Sequence, residues 1–129
     1  MPTLRHLLAL QLTYLVSGVL YNLGSLYALE QGQPAWSVTD PVFGLASMSV
    51  YGLLLSTAAY RDIRLYRGCM LVAVVLMGYG GVATHLLNWP HLEGYQSVWT
   101  WLLAIVVNGY GLTLNAVAAI GRFQSGAGR

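Results

Sequence analysis

The chain is poor in charge. Of its 129 residues six are cationic, all of them arginine, and four are acidic; charged residues make up 8% against 57% hydrophobic ones. A water-soluble domain carries about 25% charged residues. After folding, a chain of this length still exposes about a third of its unfolded surface. Leucine, valine, alanine and tyrosine would have to cover that surface, which excludes a soluble globular domain. Intrinsic disorder is excluded by the opposite criterion, because it needs low hydrophobicity and high net charge. Here the mean hydropathy is +0.60 and the formal net charge +2. That small charge, with no basic patch interleaved with aromatics, excludes nucleic acid as a partner. One cysteine, Cys69, cannot form an intramolecular disulfide, so a membrane redox enzyme built on a cysteine pair is excluded too. It reads as a small buried hydrophobe.

What the chain does have is four long apolar runs, over about 7–29, 41–60, 70–87 and 98–121. A hydrocarbon core about 30 Å thick needs about 20 helical residues to cross it. Membrane strands would alternate polar and apolar residues, whereas Leu71 to Met77 and Trp101 to Val107 do not alternate. The expected fold is therefore an all-α membrane protein, a single domain over 1–129 with four transmembrane helices in an antiparallel bundle. The connections 31–40, 62–69 and 88–97 are short, which makes consecutive helices antiparallel neighbours.

Arginine placement sets the orientation. Arg5, Arg61, Arg64, Arg67, Arg122 and Arg129 fall at the N-terminus, the middle connection and the C-terminal tail. The other two connections carry no cation and are bordered by Glu30, Asp40 and Glu93. The positive-inside rule then places both termini in the cytoplasm, and the use of arginine with no lysine points to a bacterial chain and so to an inner membrane. Trp36, Trp89, Trp99 and Trp101 all lie in or beside the two arginine-free connections, where amphipathic rings rest at headgroup level. The first run has the outline of a signal sequence, but Gln11, Thr13, Tyr14 and Asn22 interrupt it and no small-x-small cleavage site is convincing.

Two runs share a phrase. Tyr51-Gly52-Leu53-Leu54-Leu55 stands against Tyr110-Gly111-Leu112-Thr113-Leu114, and the same offset pairs Ser49 with Asn108 and Ser56 with Asn115. The match admits a tandem repeat of two helical hairpins, which would be related by an axis along the membrane normal.

In lipid, helices associate through small residues and interhelical hydrogen bonds. Ala104, Asn108, Gly111, Asn115, Ala118 and Arg122 recur at helical spacing and define one face of the fourth helix. The repeat assigns Ser49, Gly52, Ser56 and Ala59 to the second helix's face. Gln11, Tyr14, Gly18, Tyr21, Asn22 and Ser25 line the first, and Gly78, Gly81, Thr84, His85 and Asn88 the third. Gly52, Gly78, Gly81 and Gly111 are the expected close-packing positions. Gln11, Asn22, Tyr51, Asn108, Tyr110 and Asn115 are the candidate ligand-binding set.

Chemistry of other kinds is scarce. No Asp, Glu, Lys or Arg lies inside any of the four runs, and ion or proton coupling usually needs one. No nucleophile, base and orienting acid can be assembled, so an enzyme is not expected. His85, His91 and Glu93 are the weak metal candidates; no metal or cofactor is otherwise implied. Two functions remain. The expected one is a non-catalytic accessory or assembly subunit acting through helix contacts with a membrane-protein partner or with itself. The alternative is a carrier or binder of a neutral, lipophilic molecule such as a quinone or lipid. A cavity open to one face and lined by Asn108, Asn115 and Tyr51 would favour the second.

Overall fold

The computed structural model describes residues 1–60 and 62–124, so Arg61 and Arg129 of the arginine cluster lie outside the described residues. Four helices are long and apolar enough to cross a membrane: α1 (Leu4–Glu30), α2 (Pro41–Tyr60), α3 (Ile63–Leu87) and α4 (Val98–Ile120). They form an all-helical, four-helix bundle in which α1 packs on α2 and α4, while α3 packs on α4 and α2. Leu12, Val16, Leu20, Leu53, Val75 and Val106 are exposed on its outside. That arrangement is stable only where the surrounding solvent is apolar.

Each helix begins where a side chain can satisfy its first orphan amides. Thr3 accepts from the amide of His6, and Asp40, followed by Pro41, accepts from those of Val42 and Phe43. Asp62 accepts from Arg64 and Leu65, and Ser97 forms a reciprocal capping box with Thr100. At its C-terminus α4 stops at Gly121, whose φ of 76° is a left-handed conformation suited to glycine. Arg67 donates from Nε to the Ala119 carbonyl at 3.0 Å, closing the same terminus from α3. Beyond Gly121 the chain turns back to pair with the N-terminus, Gln124 exchanging backbone bonds with Pro2 and Leu4 at 3.0 Å.

Two sequence expectations need correction. The third helix begins at Ile63, not at 70, so the segment expected as a loop supplies two helical turns. Arg64 and Arg67 point outward from those turns while Tyr66 is buried. The Asp62 cap and the helical spacing of Tyr66, Met70, Ala73 and Met77 carry the signal that the arginines obscured. The second correction concerns α2. Ser49, Ser56 and Ala59 are exposed, and the buried face is Pro41, Gly44, Met48 and Tyr51. Residues equivalent by the repeat offset therefore occupy different environments: Tyr51 is fully buried while Tyr110 is 37% exposed.

α3 is not uniform. Between Gly78 and Ala83 it widens into a π-helical turn, and the Thr84 amide bonds back to the Tyr79 carbonyl. Past that turn α3 packs on α4 rather than on α2. Insertions of this kind are rare and concentrate at functional sites.

Candidate functional site

The bundle interior holds two polar regions with different designs. The first lies toward the arginine-bearing end. Gln11 of α1 donates from Nε2 to Asn115 Oδ1 at 2.9 Å and to Met70 Sδ at 3.1 Å. Its Oε1 accepts from the Tyr66 hydroxyl, and Asn115 Oδ1 also accepts from the Tyr51 hydroxyl at 2.9 Å. Side chains from all four helices thus meet at two amides, all of them fully buried. Asn115 Nδ2 is sealed in protein without a partner. Rotating that amide alone would set Nδ2 against the Gln11 donor, so the two amides are coupled in orientation.

The second region lies toward the tryptophan-bearing end. α2 and the far part of α3 stand apart there, leaving a cleft of about 800 Å³. Its walls include Phe43, Met48 and Val50 of α2 with Val75, Leu76, Met77 and Tyr79 of α3. Phe43, Val50, Val75, Leu76 and Tyr79 are exposed and flank a mouth that opens sideways, on the surface that faces lipid. Farther in lie Tyr21 and Asn22 of α1, Thr84 and His85 of α3, and Asn108 of α4. Among the described residues no Asp, Glu, Lys or Arg lines it.

Glycines set the depth of the cleft and its floor. A Cβ on Gly81 would lie 2.6 Å from Asn108 Oδ1, one on Gly44 would overlap the Asn22 amide, and one on Gly80 would meet nothing. Gly44 and Gly81 thus let the two amides reach the floor, while Gly80 leaves the mouth wide. Each amide is tied to its own helix, Asn22 Nδ2 donating to Gly18 O and Asn108 Nδ2 to Ala104 O, both at 2.8 Å. Tyr14 stands between the two regions: its hydroxyl donates to Asn108 Oδ1 at 3.2 Å and its ring meets Tyr51 edge-on at 5.1 Å.

The loops hold the tryptophan end in place. The Tyr21 hydroxyl reaches the carbonyls of Trp36 (3.1 Å) and Thr100 (2.9 Å), and the Trp36 amide donates to Ser25 Oγ at 2.9 Å. Trp101 Nε1 donates to the His85 carbonyl at 2.8 Å. Tyr95, in the loop after α3, meets His85 Nδ1 with its hydroxyl at 2.7 Å. Burial pushes the Tyr95 phenol's pKa up, so it keeps its proton.

The expected ligand set is therefore divided. Asn22 and Asn108 line the cleft; Gln11, Tyr51 and Asn115 belong to the sealed network. Tyr110 joins neither, donating from the half-exposed outer surface to the Leu10 carbonyl at 3.2 Å. Of the expected close-packing glycines, Gly111 lies under the Tyr14 ring and Gly81 against Asn108, and a Cβ on Gly78 would come within 3.3 Å of Leu112. A Cβ on Gly52 would make ordinary contact only, 3.6 Å to Leu15. Among the described residues no three His, Cys, Asp or Glu side chains group as metal ligands. His91 and Glu93 pair at 3.3 Å on the surface, and His85 is buried with Tyr95. His85, first considered for metal binding, and Tyr66, hidden in the supposed loop, are the site residues whose role the sequence obscured. No protein-family model matches the chain, and neither a curated protein nor a solved structure is similar to it.

Proposed function

We propose that the chain is a small multi-pass membrane protein that binds a neutral, lipophilic molecule in the cleft between α2 and α3. The observation that carries this reading is the cleft itself: about 800 Å³, apolar at its mouth, polar at its floor and free of charged lining. Ligand sites are concavities of about 300–1,000 Å³ with mostly apolar walls and a few convergent polar groups. A mouth flanked by exposed Phe43, Val75 and Leu76 admits a molecule already dissolved in the bilayer. The test set by the sequence is met in part, because Asn108 lines the cleft and Asn115 and Tyr51 do not. The reading as an accessory subunit has less to support it. Ser49 and Ser56 on the outward face of α2 already bond to the Leu45 and Leu53 carbonyls, so nothing there calls for a partner helix.

In this reading the arginine-bearing end faces the cytoplasm of a bacterial inner membrane, following the positive-inside rule. A reporter fused near Arg64 should be active in the cytoplasm and reporters near Gln33 or Gly94 outside it; the reverse pattern would invert the protein. Binding is tested by native mass spectrometry from membranes. Wild type should carry a lipophilic adduct that Gly80→Trp, at the open wall of the cleft, removes. Gly109→Trp, at another position where a Cβ meets nothing, should keep it. Equal retention or equal loss in the two variants would end the cleft-binding reading.

A further inference from the structure

The cleft floor carries one polar atom whose hydrogen-bonding role the surrounding structure determines. His85 is 4% exposed, and its Nδ1 lies 2.7 Å from the Tyr95 hydroxyl. An imidazole has one donor and one acceptor nitrogen when neutral, and which is which follows from the neighbour of either one. Tyr95 is itself buried at 4% and retains its proton. Among the described residues that hydroxyl has no other hydrogen-bond partner than His85 Nδ1. Were Nδ1 the donor, the buried phenol proton would be left without an acceptor among the described residues, a burial that proteins avoid. The phenol therefore donates, Nδ1 accepts, and the ring proton sits on Nε2.

Among the described residues Nε2 makes no hydrogen bond, yet it is not one of the polar atoms sealed from access, and His85 forms part of the cleft wall. Its N–H is thus a donor presented to whatever occupies the cleft. Asn108 adds a second: one Nδ2 proton goes to Ala104 O, the other has no acceptor among the described residues, and Oδ1 accepts from Tyr14. Both are uncharged donors toward the cleft, and among the described lining residues no arginine or lysine is present for an anion and no carboxylate for a cation.

Resting on the cleft-binding reading above, we infer that the ligand is a neutral carbonyl compound on an apolar tail, its carbonyl oxygen accepting from His85 Nε2–H. Tyr95 acts through His85 as a positioning residue, fixing the tautomer. Quinones and ester lipids both present this chemistry, and the experiment separates them.

Three measurements test the inference on the full chain in detergent. ¹⁵N NMR of the imidazole in wild type should show protonated Nε2 and unprotonated Nδ1; a protonated Nδ1 overturns the inference whatever binds. Decylubiquinone and dioctanoylglycerol serve as carbonyl probes, with decylbenzene as the tail without an acceptor. At least one carbonyl probe should bind about tenfold or more tightly than decylbenzene, and the probe that does so names the source. Equal binding of all three overturns the carbonyl while leaving the cleft reading intact, and binding of none overturns both. In folded variants, His85→Phe should lose the preference for the carbonyl probe, and His85→Gln, which can present an amide N–H, should keep most of it. Tyr95→Phe should weaken the preference and mix the tautomers in the NMR spectrum. A preference that survives His85→Phe assigns the carbonyl to another donor and ends the inference.

Discussion

The two polar regions of the bundle use the same residue types for opposite ends. Toward the arginine end, Gln11 and Asn115 are enclosed by Tyr51, Tyr66 and Met70 and bond chiefly to one another. Toward the tryptophan end, Asn22 and Asn108 bond to their own helices and turn the remainder of their capacity toward an open cleft. An amide in lipid needs partners, and helices far enough apart cannot supply them. The difference therefore lies in the backbone: α3 follows a regular helix past Tyr66 and Met70, then widens at Gly78–Ala83 and leaves α2 unopposed. Polar residues inside a membrane bundle thus have no single meaning. Packing distance decides whether they hold helices together or face a ligand.

The largest effect should come from closing the gap between helices where the sealed half begins. A Cβ on Gly111 would already overlap the Tyr14 ring, so Gly111→Leu must push α4 from α1. Overpacking costs about 1–3 kcal/mol where the core can yield, and an aromatic ring against backbone yields little. Thermal unfolding in detergent should show a much greater loss for Gly111→Leu than for Leu112→Ala, whose side chain packs on Gly78. If Leu112→Ala were the more damaging, the small face of α4 would be turned to lipid.

A sharper contrast uses one substitution at two places on α4. Asn115→Leu strands the Gln11 and Tyr51 donors, at about 1–3 kcal/mol for each buried group left unpaired. It should lower the unfolding midpoint and leave ligand affinity unchanged in the folded fraction. Asn108→Leu strands a single buried donor, the Tyr14 hydroxyl at 3.2 Å, where Asn115→Leu strands two. It should lower the midpoint less than Asn115→Leu does but should weaken binding severalfold. Exchange of the two outcomes would mean that the sealed network, and not the cleft, is the site.

Much of this division was hidden in the sequence, for identifiable reasons. Helical periodicity places Ala104, Asn108, Gly111, Asn115, Ala118 and Arg122 on one face; the structure buries or half-buries the first five, while Arg122 lies exposed beyond the Gly121 cap. Periodicity reports direction and carries no information on the distance to the opposite helix, so Asn108 and Asn115 looked alike. The repeat phrase misdirected the reading of α2, since a shared Tyr-Gly-Leu does not require a shared neighbour. Tyr66 was concealed by Arg64 and Arg67, which belong to the first turns of a helix rather than to a loop. The π-helical turn could not be derived from Gly-Tyr-Gly-Gly, which equally suits close packing, and it does pack Gly81 closely while opening Gly80.

Removing the whole network should cost less than breaking it. When donor and acceptor are lost together, no buried group is left wanting a partner. Gln11→Leu with Asn115→Leu, Tyr51→Phe and Tyr66→Phe should therefore unfold nearer to wild type than Asn115→Leu alone, with coupling visible across the intermediate variants. A quadruple variant less stable than each single one would assign the network a packing role that leucine and phenylalanine cannot reproduce.

The smallest effect is expected at the residue that the repeat made to look most like Tyr51. Tyr110 is 37% exposed, and its hydroxyl makes one bond, to the Leu10 carbonyl at 3.2 Å. That carbonyl is a helical acceptor and keeps its backbone role when the tyrosine bond is gone, so no group is orphaned. Tyr110→Phe should shift stability by less than about 0.6 kcal/mol, the mean for an interhelical bond in lipid, and should leave the cleft and its ligand unaffected. Tyr51→Phe removes a fully buried donor from Asn115, an amide whose Nδ2 already lacks a partner, and should cost more. Measuring both by thermal unfolding compares the two copies of the shared phrase directly. Equal losses would show that position in the phrase governs the energetics after all; the expected inequality follows from Tyr51 facing the bundle axis and Tyr110 facing away from it.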